Sequence, residues 1–183
     1  MAGGFGLLAG ATVTKSVASV VGDTLAYVGE GTQVVAGALD VIATSNDAAN
    51  SLNEFYAIGG ALSVNVTIAD ATIDSRTEAF TGTMAGATPT ANSVTSITLT
   101  QGANGNGRAF IDANGSQTAN AEAEGIGASF GISVNVLVPT ADVSGAVRAY
   151  VGETTVLDAD RLDVTADGDV MDATAKVRSG TIS

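Results

Sequence analysis

The sequence predicts an all-β protein built as a β-solenoid, in the form of a right-handed parallel β-helix of stacked coils. Three observations predict this fold. The chain contains three copies of one repeat, apolar and polar residues alternate with period two inside each copy, and the predicted inward residues are small.

The repeat is visible when residues 12–44 are placed over residues 135–167 without a gap. Fifteen of these 33 positions are identical, including AYVGE and LDV in both copies. A middle copy lies between them, because SVNV at 63–66 recurs at 133–136. After Gly82 this middle copy carries about five extra residues within TMAGATPTA. The copies are therefore offset in the numbering by 53 from first to second and by 70 from second to third.

We expect one domain made of these three repeats, with short joints between them. The Asn- and Gly-rich joints are predicted to form turns and short strands, in the segments TSNDAANSLN and QGANGNGRAFIDANG. The predicted repeats are about 5–58, 59–125 and 126–183.

Each predicted strand has one uncharged phase, which we expect to face inward. Around AYVGE this phase is Val20, Gly22, Thr24, Ala26 and Val28. Its equivalents in the other copies are Ile73, Ser75, Thr77, Ala79, Thr81 and Val143, Gly145, Val147, Ala149, Val151. In the following strand the predicted inward residues are Leu39, Val41, Ala43 and Leu162, Val164, Ala166, with Asp40 and Asp163 outward. In the preceding strand they are Val64, Val66, Ile68 and Val134, Val136, Val138.

The size of the inward residues favours a solenoid over a sandwich. Large aromatic residues normally fill a sandwich core about 10 Å thick, whereas Ala, Val, Thr, Ser and Gly suit a narrow interior between stacked coils. Coils of roughly 20–25 residues would give about seven to nine turns, and at about 4.8 Å per turn a rod of roughly 35–45 Å. Each copy would then span two to three coils.

Composition excludes several classes of function. Nineteen acidic and seven basic residues leave a net charge of −12, which repels nucleic acid and anionic membranes. No apolar run approaches the roughly 18 residues of a membrane helix, so we expect no membrane insertion. The chain has no Cys and no His, which removes the thiol nucleophile and the commonest general base.

The densest acidic segment, DADRLDVTADGDVMD from Asp158 to Asp172, is the one candidate for calcium binding. Calcium needs six to eight oxygen ligands, but neither the spacing of an EF-hand loop nor a calcium-binding nonapeptide is present. Alternation makes Asp163 a solvated outward residue, and Asp167-Gly168-Asp169 is predicted to be a turn. We therefore predict no metal and no cofactor.

Catalysis has a similarly weak signal. Asp74 and Glu78 could be neighbours on an outward face with Arg76 between them, and paired carboxylates roughly 5–10 Å apart perform glycosidase chemistry. A charged, solvated face explains the same residues. With no His or Cys and few aromatic residues, the sequence predicts that the chain is not an enzyme and has no catalytic residues.

Two outward rows are candidate binding faces. Tyr27, Phe80 and Tyr150 occupy equivalent positions, either as a binding stripe or, as we favour, folded over a corner before Gly29, Gly82 and Gly152. Thr98 and Thr100 lie side by side as in an ice-binding face. The position of Thr98 is aligned with Asp40 and Asp163, so the threonine row does not repeat.

The pattern GISVNV, ADVSGAVRAYVGE, TTV and LDVTA resembles the repeats of giant bacterial surface and secreted proteins. These are filamentous-haemagglutinin-like adhesins, autotransporter passengers and leukotoxin-type repeat proteins. The resemblance covers most of the chain and implies a β-helical stalk exported to the cell surface. The middle copy departs from it, with AFTG in place of AYVG and with its insertion.

The expected function is a structural rod or stalk segment of an extracellular or cell-surface filament. Its expected partner is a second copy, joined head to tail along the solenoid axis, because neither end of the sequence resembles a cap. Both ends read as cuts through a continuing stack, and MAGGFGLLAG lacks the basic start of a complete signal peptide. The alternative is an adhesin-type module that binds host or neighbouring-cell glycan or protein through a lateral face.

Overall fold

Long parallel strands dominate the structure, a computed structural model that describes residues 2–6, 9–102 and 105–182. No helix occurs in these ranges, and accordingly none of them contains a helix able to cross a membrane. Val, Ile and Thr favour strands because their branched side chains pack well on a pleated surface. The prediction of an all-β protein is confirmed.

Three parallel sheets contain most of the strands. Sheet I has the order β1 (Ala2–Gly6), β4 (Ala38–Gly59), β9 (Arg108–Ser129) and β13 (Arg161–Ile182). In sheet II, β5 (Leu62–Thr81) lies between β2 (Ala9–Val28) on one side and β10 (Ile132–Val143) and β11 (Ala146–Val151) on the other. Sheet III has the order β3 (Gln33–Ala36), β6 (Thr95–Leu99) and β12 (Thr155–Asp158). A small antiparallel pair joins β7 (Gln101–Gly102) to β8 (Gly105–Asn106).

Each sequence copy contributes one strand or strand pair to every parallel sheet, and we call the set from one copy a layer. Layer 1 is β2, β3 and β4, layer 2 is β5, β6 and β9, and layer 3 is β10 to β13. Val20 of layer 1 pairs with Ile73 of layer 2, and Ile73 pairs in turn with Val143 of layer 3. The offsets between these partners, 53 and then 70, are those between the sequence copies. The spacing of the copies is thus the register of the hydrogen-bonded strands.

This register corrects the predicted coil length. Coils of roughly 20–25 residues would pair residues that far apart, but partners in the parallel sheets are separated by whole copies. Three layers at about 4.8 Å each occupy roughly 14 Å, well short of the predicted rod. The error arose because strands of 20 and 22 residues, such as β5 and β9, are far longer than the roughly 5–6 residues usual for a strand.

The extra residues of layer 2 form two insertions, whereas the sequence predicted a single insertion of about five residues after Gly82. The register offset between layers 1 and 2 rises from 53 in β5 to 63 where Gln33 pairs with Ser96, and to 70 where Ala38 pairs with Arg108. The first insertion is the loop between β5 and β6, and the second contains the β7–β8 pair. Much of the two predicted joints is strand instead, since residues 44–53 lie in β4 and residues 108–115 in β9.

Most of the interior lies between sheets I and II and is rich in small residues. Ala69, Ala71 and Ile73 of sheet II pack against Ala119 and Ala121 of sheet I, and all five are buried. The predicted inward phase around AYVGE is confirmed in layer 2, where Ile73, Ser75, Thr77, Ala79 and Thr81 are buried. Val41 and Ala43 are also inward and buried. In layer 3, Leu162 and Val164 face the same way, yet they stay 45% and 44% exposed at the open end of the stack.

The prediction that Val64, Val66 and Ile68 face inward is wrong. Alternation is unbroken along β5, so the phase of buried Ile73 places Ser63, Asn65 and Thr67 inside. The valines and their partners Val134, Val136 and Val138 consequently lie on the outer face of sheet II.

Several polar groups that face inward hydrogen-bond to one another, within sheet II and between sheets I and II. Asn65 donates to Oδ1 of Asn135 at 2.9 Å, and Asn53 donates to the carbonyl of Ile68 at 2.8 Å. Deeper inside, Ser75 donates to Asp47 at 2.6 Å and accepts from Nε2 of Gln117 at 2.9 Å. These bonds offset the cost of burying polar atoms.

Glycine makes room for the buried glutamine. A Cβ at Gly145 would overlap both the amide of Gln117 and the carbonyl oxygen of Ser75. The backbone of layer 3 can approach Gln117 only because this position has no side chain.

Candidate functional site

The outer face of sheet II carries a row of stacked aromatic rings near the ends of its strands. Tyr27 pairs with Phe80 in the register, and Phe80 with Tyr150. Both neighbouring pairs have ring centroids 5.2 Å apart, with interplanar angles of 10° and 4°. We call Tyr27, Phe80 and Tyr150 the aromatic row. The strands end one residue beyond it, but the rings stack along the outer face and do not fold over a corner.

The first insertion covers part of the aromatic row. This insertion loop runs from Gly82 to Val94, between β5 and β6. The amide of Ala85 donates to the hydroxyl of Tyr150 at 2.7 Å, and that hydroxyl donates to Glu78 at 2.9 Å. Desolvation by burial raises the pKa of Tyr150 above its ordinary value. Phe80 is 3% exposed under this cover, whereas Tyr27 is 59% exposed.

Glu30 holds the other side of the insertion loop. Its carboxylate accepts hydrogen bonds from the Thr83 hydroxyl at 2.6 Å, the Thr90 amide at 3.0 Å and the Ser93 hydroxyl at 3.1 Å. These donors, led by the Thr83 hydroxyl, lower the pKa of Glu30 from 4.5 to about 2. The carboxylate therefore fixes both ends of the loop while it is ionised.

Two shallow cavities flank the insertion loop. The larger, of about 370 Å³, is lined by Leu25, Tyr27, Glu30, Phe80, Met84 and Thr90 among others. The smaller, of about 300 Å³, lies on the Tyr150 side, next to Met84, Val151 and Glu153. The larger cavity combines an exposed aromatic ring, a carboxylate and threonine hydroxyls.

Charged residues lie beside the aromatic row in two adjacent register rows. Arg76 binds Asp23 of the neighbouring strand through two hydrogen bonds, at 2.9 and 2.6 Å. The hydrogen bonds to Arg76 lower the pKa of Asp23, and those to Asp23 raise the pKa of Arg76. Arg148 lies 3.6 Å from Oε1 of Glu78, a carboxylate with no exposed surface.

The two carboxylates considered for glycosidase chemistry occupy different surroundings. Asp74 is exposed on the outer face, as expected. Glu78 is buried, where it accepts the hydrogen bond from Tyr150 and lies near Arg76 and Arg148. No sequence pattern indicates this burial, because the cover comes from an insertion whose path alternation does not predict.

The acidic segment 158–172 lies mostly in β13. Asp163 faces outward, as predicted, and pairs with Arg161 at 2.9 Å. Asp167-Gly168-Asp169 is not a turn but lies at a β-bulge, where the register with β9 shifts between Gly168 and Val170. Over the described part of the chain, no group of three or more acidic side chains could hold a metal ion.

The threonine row considered for ice binding has other neighbours than the sequence alignment indicated. Thr98 and Thr100 do face outward. Thr98 pairs with Val35 and Asp158 in sheet III, whereas Asp40 and Asp163 both pair with Phe110 in sheet I. The first insertion adds ten residues before Thr98 instead of about five, which explains the misalignment.

An apolar patch on the outer face of sheet II was missed. We call it the valine face: Val64, Val66 and Ile68 of β5 with Val134, Val136 and Val138 of β10. The last three are 42%, 43% and 44% exposed. Extending the alternation from Ile73 back along β5 would have found it.

No family model, curated protein or solved structure matches this chain.

Proposed function

We propose that the chain is a β-solenoid segment that serves as a structural rod or stalk of an extracellular, cell-surface assembly and stacks end to end with further copies. The observation that carries this proposal is the one-to-one match between sequence copies and hydrogen-bonded layers. The repeat resemblance to bacterial surface proteins supports the location and the stalk role.

The path of the chain supports a solenoid. In each layer the chain runs from sheet II through sheet III to sheet I, and then returns to sheet II one strand further along. Gly59 and Leu62 are only three residues apart at this return, so one layer passes directly into the next. Each repeat then forms one long, flattened coil.

Both ends of the stack have long strand edges. In the described ranges, β2 and β13 pair on one side only, and they are 20 and 22 residues long. Unpaired edges of this length favour addition of another parallel strand. Stacking also covers the inward residues that the last layer leaves exposed, such as Leu162 and Val164.

The first and last layers are matched for such a contact. Placing layer 1 of one copy on layer 3 of another continues the register, with Tyr27 against Tyr150 and the aromatic row unbroken.

One constraint on this contact follows from β1, which pairs with Phe55–Gly59 of β4. The β13 strand of an incoming copy can pair with the rest of β4. Residues 179–182 of that incoming strand would compete with β1 for the segment Phe55–Gly59. The contact is heterologous and builds an open filament.

Sedimentation velocity over a range of protein and salt concentrations tests the stacking. We expect assembly to grow with concentration and with salt, because salt screens the charge of −12 per copy. Val164→Asp puts a charge on the open end of layer 3 and should abolish assembly. Thr165→Asp adds the same charge to the outer face of the same strand and should leave assembly intact. A monomer under all conditions, or equal effects of the two substitutions, would contradict end-to-end stacking.

A second candidate function is binding of glycan through the lateral face. The observation that favours it is the 59% exposed ring of Tyr27 beside the cavity of about 370 Å³ that Glu30 and Thr90 also line. Aromatic faces stack on sugar rings, and the carboxylate and hydroxyls supply hydrogen bonds. A glycan array probed with the wild type and with Tyr27→Ala tests it, and binding that survives the substitution would contradict a site at Tyr27.

A further inference from the structure

We propose that the valine face joins two filaments side by side, each formed by the end-to-end stacking proposed above, on which this inference rests. Its occupant is the same face of a second filament of this chain. The argument rests on the chemistry, the area and the continuity of the face.

The valine face is flat, apolar and without charge. Six branched aliphatic side chains point outward from two adjacent strands, in three consecutive register rows. Val13 of β2 pairs with Val66 and is 69% exposed, so the middle row is valine in all three layers. Outward positions of an exposed sheet are usually polar, which makes three adjacent apolar rows an interaction surface.

The charges nearest this face compensate each other. Lys15 at its border forms an ion pair with Asp70, with 2.8 Å between Nζ and Oδ2. Contact through this face therefore brings together two neutral patches, although each chain carries −12. Elsewhere on the outer face, acidic residues such as Asp74 would repel a second copy.

The area of the face explains why pairing should require stacking. Two strands at about 4.8 Å and five residues at about 3.3 Å give roughly 160 Å² per chain. A stable interface buries about 800 Å² per partner, so two isolated chains do not hold together through this face. End-to-end stacking repeats the patch in every copy, and a filament of about five copies reaches the required area. Faces of two filaments would then pack about 10 Å apart, as sheets do.

Mass per unit length, measured by electron microscopy on filaments of the whole chain, tests this inference. Wild-type filaments should have twice the mass per length of a single stack. Val66→Lys places a charge in the middle of the valine face and should give filaments of half that value. Val136→Lys, on the adjacent strand β10, should do the same. Thr72→Lys is the matched control, because it adds the same charge to the outward phase of β5 outside the face and should leave paired filaments.

The outcomes separate the two proposals. Single wild-type filaments, or paired filaments of both lysine variants, would overturn lateral pairing and leave end-to-end stacking in place. Absence of any filament would overturn the stacking and this inference with it. A wild type that pairs and variants that form single filaments would support both.

Discussion

The side-chain amide of Asn65 donates a 2.9 Å hydrogen bond to Oδ1 of Asn135, one layer away in the stack. Asn65 is 2% exposed, while its neighbour Val66 points to the outer face. Two layers are thus joined inside the molecule by polar side chains, and the aliphatic side chains beside them face outward.

This arrangement predicts that substituting Asn65 lowers the stability of the fold and that substituting its neighbour Val66 hardly changes it. Asn65→Ala should lower the free energy of unfolding by about 1–3 kcal/mol, because it leaves a partly buried acceptor on Asn135 without its donor. Val66→Thr should change it by less than about 0.5 kcal/mol, because the added hydroxyl reaches solvent. Urea denaturation of both variants measures the difference. A larger loss for Val66→Thr would mean that the valines face inward after all.

The aromatic row predicts that truncating its central ring lowers stability more than truncating a ring at its end. Phe80 stacks on both neighbours and is 3% exposed, so Phe80→Ala should cost about 3–5 kcal/mol of stability. Tyr27→Ala removes a ring that stacks on one side only, and should cost about 0.5–1.5 kcal/mol. Thermal unfolding of the two variants provides the comparison. Similar shifts in Tm would argue against a buried central ring.

Glu30 predicts an acid-dependent attachment of the insertion loop. Its pKa in the folded chain is about 2, below the ordinary 4.5. The stabilisation by its hydrogen bonds is therefore complete above pH 4.5 and is lost as the pH falls towards 2. The amide proton shift of Thr90, which donates to this carboxylate, should titrate with a midpoint near 2. Glu30→Gln should remove this titration, and a wild-type midpoint near 4.5 would contradict the hydrogen-bonded geometry.

The sequence predicted the register better than it predicted the shape. Matching AYVGE in the first and third copies aligned Val20 with Val143, and both residues pair with Ile73. Identical residues recur at matched positions because stacked strands present the same neighbours to one another. The predicted coil length was wrong because alternation reports which face a residue occupies but not where a strand as long as β5 ends.

The candidate site could be predicted only in part. The common position of Tyr27, Phe80 and Tyr150 followed from the repeats, and their stacking follows from the spacing of adjacent parallel strands. The cover over Phe80 and Glu78 could not be predicted, because it comes from an insertion loop that is present in one copy only. Its path depends on hydrogen bonds to Glu30 that no periodic pattern encodes.

Disulfide cross-linking between layers tests end-to-end stacking most directly, because the chain has no cysteine of its own. Ser19 and Asp142 both pair with Thr72, on opposite sides, so within one chain they are two layers apart. That distance, about 9.6 Å, exceeds the roughly 4.4–6.8 Å between Cα atoms in a disulfide. In a stack, Ser19 of one copy lies beside Asp142 of the next.

The double variant Ser19→Cys with Asp142→Cys should therefore oxidise to a ladder of covalent multimers on a non-reducing gel. Ser19→Cys with Thr72→Cys, which are adjacent within one chain, should close inside the monomer and serves as the control. If the control pair oxidises while the Ser19 and Asp142 pair leaves only reduced monomer, copies of this chain do not stack end to end.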